Sequence, residues 1–236
     1  MSIDEIKSIN EATTFEDIAE IRKRGYLACK ANGFNFQSLL TDLYKEPEHF
    51  IYELIQNAED ALASEVKIKL YTDRLVFSHN GTRLFDINDI RSITGIGDTT
   101  KKPEDNKIGR FGIGFKSVFG VCESPRVYSG KYAFEINNLY VPREINKEKE
   151  FEKGTHFVLP FSSADRSSQD IYLLLHKAIE ALSSDTVLFL RNISEISWET
   201  PNIKGFYLKS KKAKTCGAHK FYECEILNGA ESDSKS

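Results

Sequence analysis

Little in this chain points to a membrane, an oxidising compartment or a nucleic acid. The four cysteines, Cys29, Cys122, Cys216 and Cys224, are widely spaced and form no Cys-x-x-Cys pair. That argues against a disulfide framework or a thiolate metal site and fits a reducing compartment. No apolar run approaches the length of a membrane span. The polar start, Met1-Ser2-Ile3-Asp4-Glu5, lacks the pattern of a signal peptide, so a cytoplasmic protein is expected. Positive charge is not in excess: the formal net charge is −3, which gives no support for nucleic-acid binding through a basic surface. No internal repeat is visible. What is present is an ordinary globular composition, 236 residues with 40% apolar and 28% charged. It suits one large domain, or one domain with an appendage, around a substantial core.

The chain is organised around Glu53-Leu54-Ile55-Gln56-Asn57-Ala58-Glu59-Asp60-Ala61. On a helix, Glu53, Asn57 and Asp60 fall at i, i+4 and i+7 and share one face. Ile51, Leu54, Ile55, Ala58, Ala61 and Leu62 gather on the other side, as in an amphipathic helix packed on a core. Taken alone, the polar side reads as a solvated face. A second stretch changes the reading: Ile108-Gly109-Arg110-Phe111-Gly112-Ile113-Gly114-Phe115-Lys116-Ser117-Val118-Phe119, a glycine-rich turn running into an apolar segment. Its glycines let backbone N–H groups approach a phosphate without Cβ interference, and a following helix would aim its positive end there. It is not a P-loop, because Phe115 separates Gly114 from Lys116-Ser117 and puts the G-x-x-x-x-G-K-[ST] pattern out of register.

The two stretches resemble the asparagine box and the lid-end glycine motif of the GHKL ATPases, the gyrase, heat-shock-90 chaperone, histidine-kinase and MutL families. Phe50 to Asp60 followed by Ile108 to Phe119 is most similar to the chaperone-type domains of sacsin-like proteins, and the resemblance covers roughly residues 40 to 195. It implies the Bergerat ATP-binding fold. That is an α/β (α+β) two-layer sandwich, with a mixed, mostly antiparallel sheet covered on one face by helices. The expected organisation is an N-terminal helical flank over 1–45, an ATP-binding domain over 46–200, and a C-terminal extension with a disordered end over 201–236.

Along the chain, the spacing predicts helical pieces in 4–45, broken near Gly25 and Asn32-Gly33 and with Thr14 as an N-cap. This region reads as a structural flank or a dimer arm. Pro47 suits the start of the central helix, which runs to about Leu62. Val66–Tyr71 and Arg74–Ser78 read as a hairpin across Thr72-Asp73, and 86–94 as a short helix. Residues 95–107 form a long polar loop with the look of a lid. A helix beginning near Gly114, strands at 126–129, 132–136 and 155–161, and a helix over 170–182 follow. Residues 145–153 read as a solvated charged loop. Thr186–Leu190 reads as a helix end or strand, 193–198 as an edge strand, Lys209–Lys214 as an exposed basic turn, and 231–236 as disordered.

The resemblance also assigns roles. Asn57 matches the residue whose carboxamide oxygen ligates Mg²⁺ beside the phosphates, and Glu53 matches the general base that polarises a water for attack on the γ-phosphate. Asp60 would line the pocket. The phosphates would be cradled within the glycine stretch, with Gly109, Phe111, Gly112, Ile113, Gly114, Phe115 and Lys116 as candidate contacts; Lys116 lies near the phosphates or faces solvent. Thr99-Thr100-Lys101 resembles the lid segment of the MutL and chaperone branches. The family usually has Asp-x-Gly-x-Gly under adenine, whereas this chain has His79-Asn80-Gly81-Thr82-Arg83. Either a neutral His79 nitrogen or the Asn80 oxygen is then the expected acceptor for the base. Thr155 matches the family's threonine under adenine.

The reading at this stage is a Mg²⁺-dependent ATPase whose lid closure switches partner or client contacts. The alternative is a module that binds ATP without meaningful turnover, and a protein-kinase-like phosphotransfer function ranks third. A nucleotide-dependent homodimer or further domains of a longer protein are the expected partners, because related ATPases take a catalytic lysine or arginine from a following domain and little of one fits after Trp198.

Overall fold

The computed structural model describes residues 8–34, 49–95, 114–216 and 219–232. It is a two-layer sandwich. One mixed sheet of nine strands runs in the order β5-β4-β3-β6-β2-β1-β7-β8-β9. The strands are β1 (Glu65–Leu70), β2 (Arg74–His79), β3 (Arg126–Ser129), β4 (Tyr132–Asn137), β5 (Val141–Glu144), β6 (Thr155–Pro160), β7 (Glu195–Glu199), β8 (Ile203–Cys216) and β9 (His219–Ser232). Only β1 and β7 run parallel; the other neighbours are antiparallel. That exception follows from the helical crossover between β6 and β7, which returns the chain in the direction of β6 and hence of β1.

The helices lie on one face. They are α1 (Phe15–Ala31), α2 (Phe50–Asp60), α3 (Ile87–Ile93), α4 (Ser168–Glu180) and α5 (Ser184–Leu188), with a 3₁₀ segment at Gly114–Gly120. Their apolar sides share a single core with the facing strand residues: Leu54 and Ile55 of α2 and Ile171 and Leu175 of α4 pack with Ile68, Phe77, Phe157 and Ile196. Local signals mark the helix starts. The Thr14 hydroxyl accepts from the Asp17 N–H to cap α1, and Asp86 and Ser167 close capping boxes on α3 and α4.

Several expectations fail for identifiable reasons. Gly25 does not break α1, because an isolated glycine costs a helix only about 1 kcal/mol and packing of Ile18 holds it; the helix ends at Asn32, with Gly33 at φ 76. Residues 193–198 are not an edge: β7 sits between β1 and β8. Lys209–Lys214 is not a turn but the middle of β8, and the Lys209 ammonium is buried, donating to the carbonyls of Val187 (2.9 Å) and Leu190 at the end of α5. Of the two readings of Thr186–Leu190, the helix end holds, since Ser184–Leu188 is helical. The charged segment 145–153 is only partly solvated. Its Phe151 is buried on the other face of the sheet against Tyr128, with ring centroids 4.6 Å apart. The segment after the glycine motif is 3₁₀ rather than a full α-helix. Pro47, the lid at 96–107 and residues 233–236 lie outside the described residues.

Candidate functional site

The polar face of α2 has formed as its spacing predicts. Apolar Phe50, Ile51, Leu54, Ile55 and Ala58 are buried, and Glu53, Asn57 and Asp60 share the opposite side. Asn57 is only 3% exposed, yet its carboxamide has no hydrogen-bond partner among the described residues, and neither has the Glu53 carboxylate. The Asn57 amide is not among the fully buried unpaired atoms, so its polar end is still reached by solvent.

Gly114 closes on this face. A Cβ at Gly114 would collide with the Glu53 carboxylate and lie 2.7 Å from Glu53 Cγ, so only glycine lets the backbone come so near. The end of the glycine stretch and the base candidate are therefore neighbours. Ser117 fixes the segment by donating from its hydroxyl to the Gly114 carbonyl at 2.6 Å. Phe115 is buried against Phe157, with centroids 5.6 Å apart.

At one end of the sheet, three polar residues form a row on the helix-covered face. Leu75 and Phe77 point into the core from β2, and the period of two puts His79 on the same face; Thr155 follows Phe157 and Leu159 on β6, and Ser129 follows Val127 on β3. His79 is opposite Thr155 and Thr155 opposite Ser129 in register. The Thr155 and Ser129 hydroxyls are 2.7 Å apart, and Ser129 Oγ accepts from the Phe85 N–H. The Gly81 N–H donates to Nδ1 of His79 at 3.1 Å. Gly81 in turn abuts the end of α2, where a Cβ would lie 2.7 Å from the Ala61 carbonyl oxygen. Gly154, at φ 80, lets the β6 strand start directly under His79, since a side chain there would strike the His79 carbonyl. Burial pushes the His79 pKa down to about 4, with a smaller push from His156, so the ring is neutral near pH 7.

Other candidates are committed elsewhere. The Asn80 oxygen accepts from the N–H groups of Ser64 and Glu65, and its amide donates to the Ser64 hydroxyl. Lys116 is neither near solvent nor free: its ammonium donates to the Ile93 and Leu139 carbonyls, both at 2.7 Å, and burial lowers its pKa to about 7. Arg83, at the family's second glycine position, pairs with Asp89 at 2.5 Å and donates its backbone N–H to the Ala61 carbonyl; its charge also reaches Asp60. Thr99, Thr100, Lys101, Gly109, Phe111, Gly112 and Ile113 lie outside the described residues. Among the described residues, no cluster of three or more His, Cys, Asp or Glu could hold a metal unaided.

Sequence reasoning passed over Glu59. Its carboxylate is buried and accepts from the N–H groups of Arg191, Asn192 and Ile193 at 2.8–3.0 Å and from the Asn192 side chain at 3.0 Å. It clamps α2 to the chain entering β7. The available signal was its position four residues after Ile55, on the apolar side, where a carboxylate must find donors.

Residues 72–156 match the Sacsin domain. That span runs from the β1–β2 turn into β6 and contains His79, Gly114 and Thr155. Over 110 residues the chain is 36% identical to "Protein NO VEIN" of Arabidopsis thaliana, covering 44% of this chain and 4% of that protein. It is 37% identical over 103 residues to human "Sacsin", covering 37% of this chain and 2% of that protein. A longer, weaker similarity, 26% over 215 residues, links 70% of this chain to 34% of "Chaperone protein HtpG" of Buchnera aphidicola subsp. Cinara cedri. The chain thus spans a small part of each of these relatives. Together the similarities support a sacsin-like, heat-shock-90-type relationship.

Proposed function

We propose that this chain is an ATP-binding module of the Bergerat type that hydrolyses ATP slowly, with lid movement altering contacts to a partner or client in a chaperone-like way. The observation that carries the reading is the seating of Gly114 against the Glu53 carboxylate. The two stretches that resemble the family are far apart in sequence, and their ends meet at a face bearing two polar groups without partners among the described residues. The similarity to HtpG, whose name makes it a chaperone, supports the same reading. The nucleotide-binding unit would span 46–200, flanked by 1–45 and extended by 201–236. No helix among the described residues is long and apolar enough to cross a membrane.

The residues fit the groups required. Asn57 offers an amide oxygen without a partner among the described residues, the hard donor Mg²⁺ prefers. When bound, Mg²⁺ would supply neutralisation of phosphate charge. Glu53 would orient a water in line with the γ-phosphorus and accept its proton as the bond to the β-phosphate oxygen breaks, giving ADP and phosphate. The backbone N–H groups of the glycine stretch and the lid residues Thr99, Thr100 and Lys101 would hold the phosphates and exclude water. A second copy or a following domain would supply any further cation.

The test is Glu53→Ala, assayed for binding and turnover. ATP affinity should survive within a few-fold while hydrolysis falls by roughly 10²–10⁴. Wild-type protein that binds ATP but shows no turnover, even with its natural flanking sequence, is a binding module. A variant that hydrolyses as fast as wild type removes Glu53 as the base.

A further inference from the structure

The imidazole of His79 carries information about the base, an inference that rests on the nucleotide reading above. His79 is 6% exposed, at the end of β2 on the helix-covered face, beside Thr155. Its Nδ1 is occupied, because it accepts the Gly81 N–H. A neutral imidazole has one donor and one acceptor nitrogen, so the accepting Nδ1 leaves the proton on Nε2. Burial keeps the ring neutral near pH 7, which removes the doubly protonated form from consideration. No group among the described residues takes up Nε2. The ring is more than nine-tenths buried with Nδ1 fixed by the backbone, and Nε2, unpartnered among the described residues and not a fully buried atom, is the nitrogen a ligand can reach.

The nearby acceptor candidate is also excluded. The Asn80 oxygen already receives two N–H groups from the start of β1, and its amide is held by Ser64. The Asn80 side chain is therefore part of the turn rather than of the pocket. His79 Nε2–H is the donor left at this end of the sheet, because the neighbouring Thr155 and Ser129 hydroxyls are fully buried and bonded to each other.

We propose that His79 is a specificity-determining residue that donates its Nε2–H to an acceptor atom on the edge of a purine. The exocyclic amine of adenine is then not what the site reads. A ring nitrogen of adenine or the 6-oxo group of a 6-oxopurine satisfies the same donor, so recognition tolerates loss of the amine. Gly81 and Gly154 act as positioning residues. The Gly81 N–H selects the tautomer, and the absence of a side chain at Gly154 lets β6 approach the His79 carbonyl.

The experiment is calorimetric titration of the wild-type chain with ATP, ITP and purine riboside triphosphate, which lacks the 6-amino group but keeps the ring nitrogens. Purine riboside triphosphate should bind within about threefold of ATP. ITP binding tighter than both assigns the contact to the 6-position; ITP weaker than purine riboside triphosphate assigns it to a ring nitrogen, N1 being protonated in ITP. Either result supports the proposal. His79→Gln, which keeps a donor, should preserve this pattern. His79→Asp, which offers only acceptors, should favour ATP over purine riboside triphosphate by at least tenfold, about 1.4 kcal/mol. ¹⁵N spectra of the ring should report the Nε2–H tautomer whether or not nucleotide is bound. Wild-type protein that binds ATP at least tenfold more tightly than both analogues reads the amine, which overturns this proposal and leaves the nucleotide reading standing. Failure of all three to bind to folded protein overturns the nucleotide reading and this proposal with it.

Discussion

Gly114 sits so close to Glu53 that the Cβ of any other residue at 114 would overlap the Glu53 carboxylate. The overlap runs from the carboxylate back to Glu53 Cγ but meets side chain only, so Gly114→Ala should be accommodated by a rotamer change of Glu53 that drives the carboxylate away from its position. We expect a melting temperature within a few degrees of wild type and a loss of turnover approaching that of Glu53→Ala. The double variant should lose no more than Glu53→Ala alone, a non-additivity that kinetic assays of the three proteins would reveal. Wild-type turnover in Gly114→Ala would separate the two residues functionally.

Asn57→Ala should weaken nucleotide binding more in Mg²⁺ than in EDTA, since the group removed is an oxygen donor on the same face as Glu53. It should also leave the fold intact, because the amide removed makes no hydrogen bond among the described residues. Calorimetry in the two buffers and a urea titration check both statements. Equal losses of affinity in both buffers would count against a metal role.

Glu59 has a different task. Its two oxygens collect four N–H groups from residues 191–193. Glu59→Ala strands those donors inside the protein, and hydrogen bonds to a charged group are the stronger kind. The expected destabilisation is roughly 2–4 kcal/mol in urea unfolding. Glu59→Gln, which can still accept, should lose less, and the folded fraction of either variant should bind nucleotide within a few-fold of wild type.

Stability should depend on pH in two separate windows. His79 drops from 6.5 to about 4 on folding, chiefly through burial. Above 6.5 neither state holds the proton and the group is silent. Between 6.5 and about 4 only the unfolded chain takes it up, so stability falls as pH falls, by about 3 kcal/mol in all. Lys116 drops from 10.5 to about 7, again through burial, so it lowers stability as pH falls from 10.5 to about 7 and adds nothing further below that. Denaturant titrations from pH 9.5 to 4.5 should show both slopes. His79→Gln should flatten the acid one and Lys116→Met the alkaline one; a slope that survives its own variant belongs to another group.

Much of this molecule was legible in one dimension. The apolar positions of α2 leave Glu53, Asn57 and Asp60 on one face because a helix repeats every 3.6 residues, and the structure keeps that face. The β1–β2 hairpin, the Thr14 cap and the helix expected over 170–182, found at Ser168–Glu180, follow from local patterns in the same way. Where the reading failed, the deciding partner was distant. Lys209 looked solvated because charge runs usually are, yet its ammonium caps α5. Lys116 looked like a phosphate contact, and two carbonyls from α3 and the β4–β5 turn hold it.

By itself the sequence determined the periodic face, the glycine stretch and the strands under them, since these rest on spacing between near neighbours and on backbone freedom. Only the tertiary structure decided which polar groups are still available to a ligand. Asn57 and His79 Nε2 are unpartnered among the described residues; Asn80, Glu59 and Lys116 are already satisfied by residues from elsewhere in the chain. Hydrogen bonds reach less than about 3.5 Å. Whether a group is spent or free therefore depends on three-dimensional neighbours that sequence spacing does not encode.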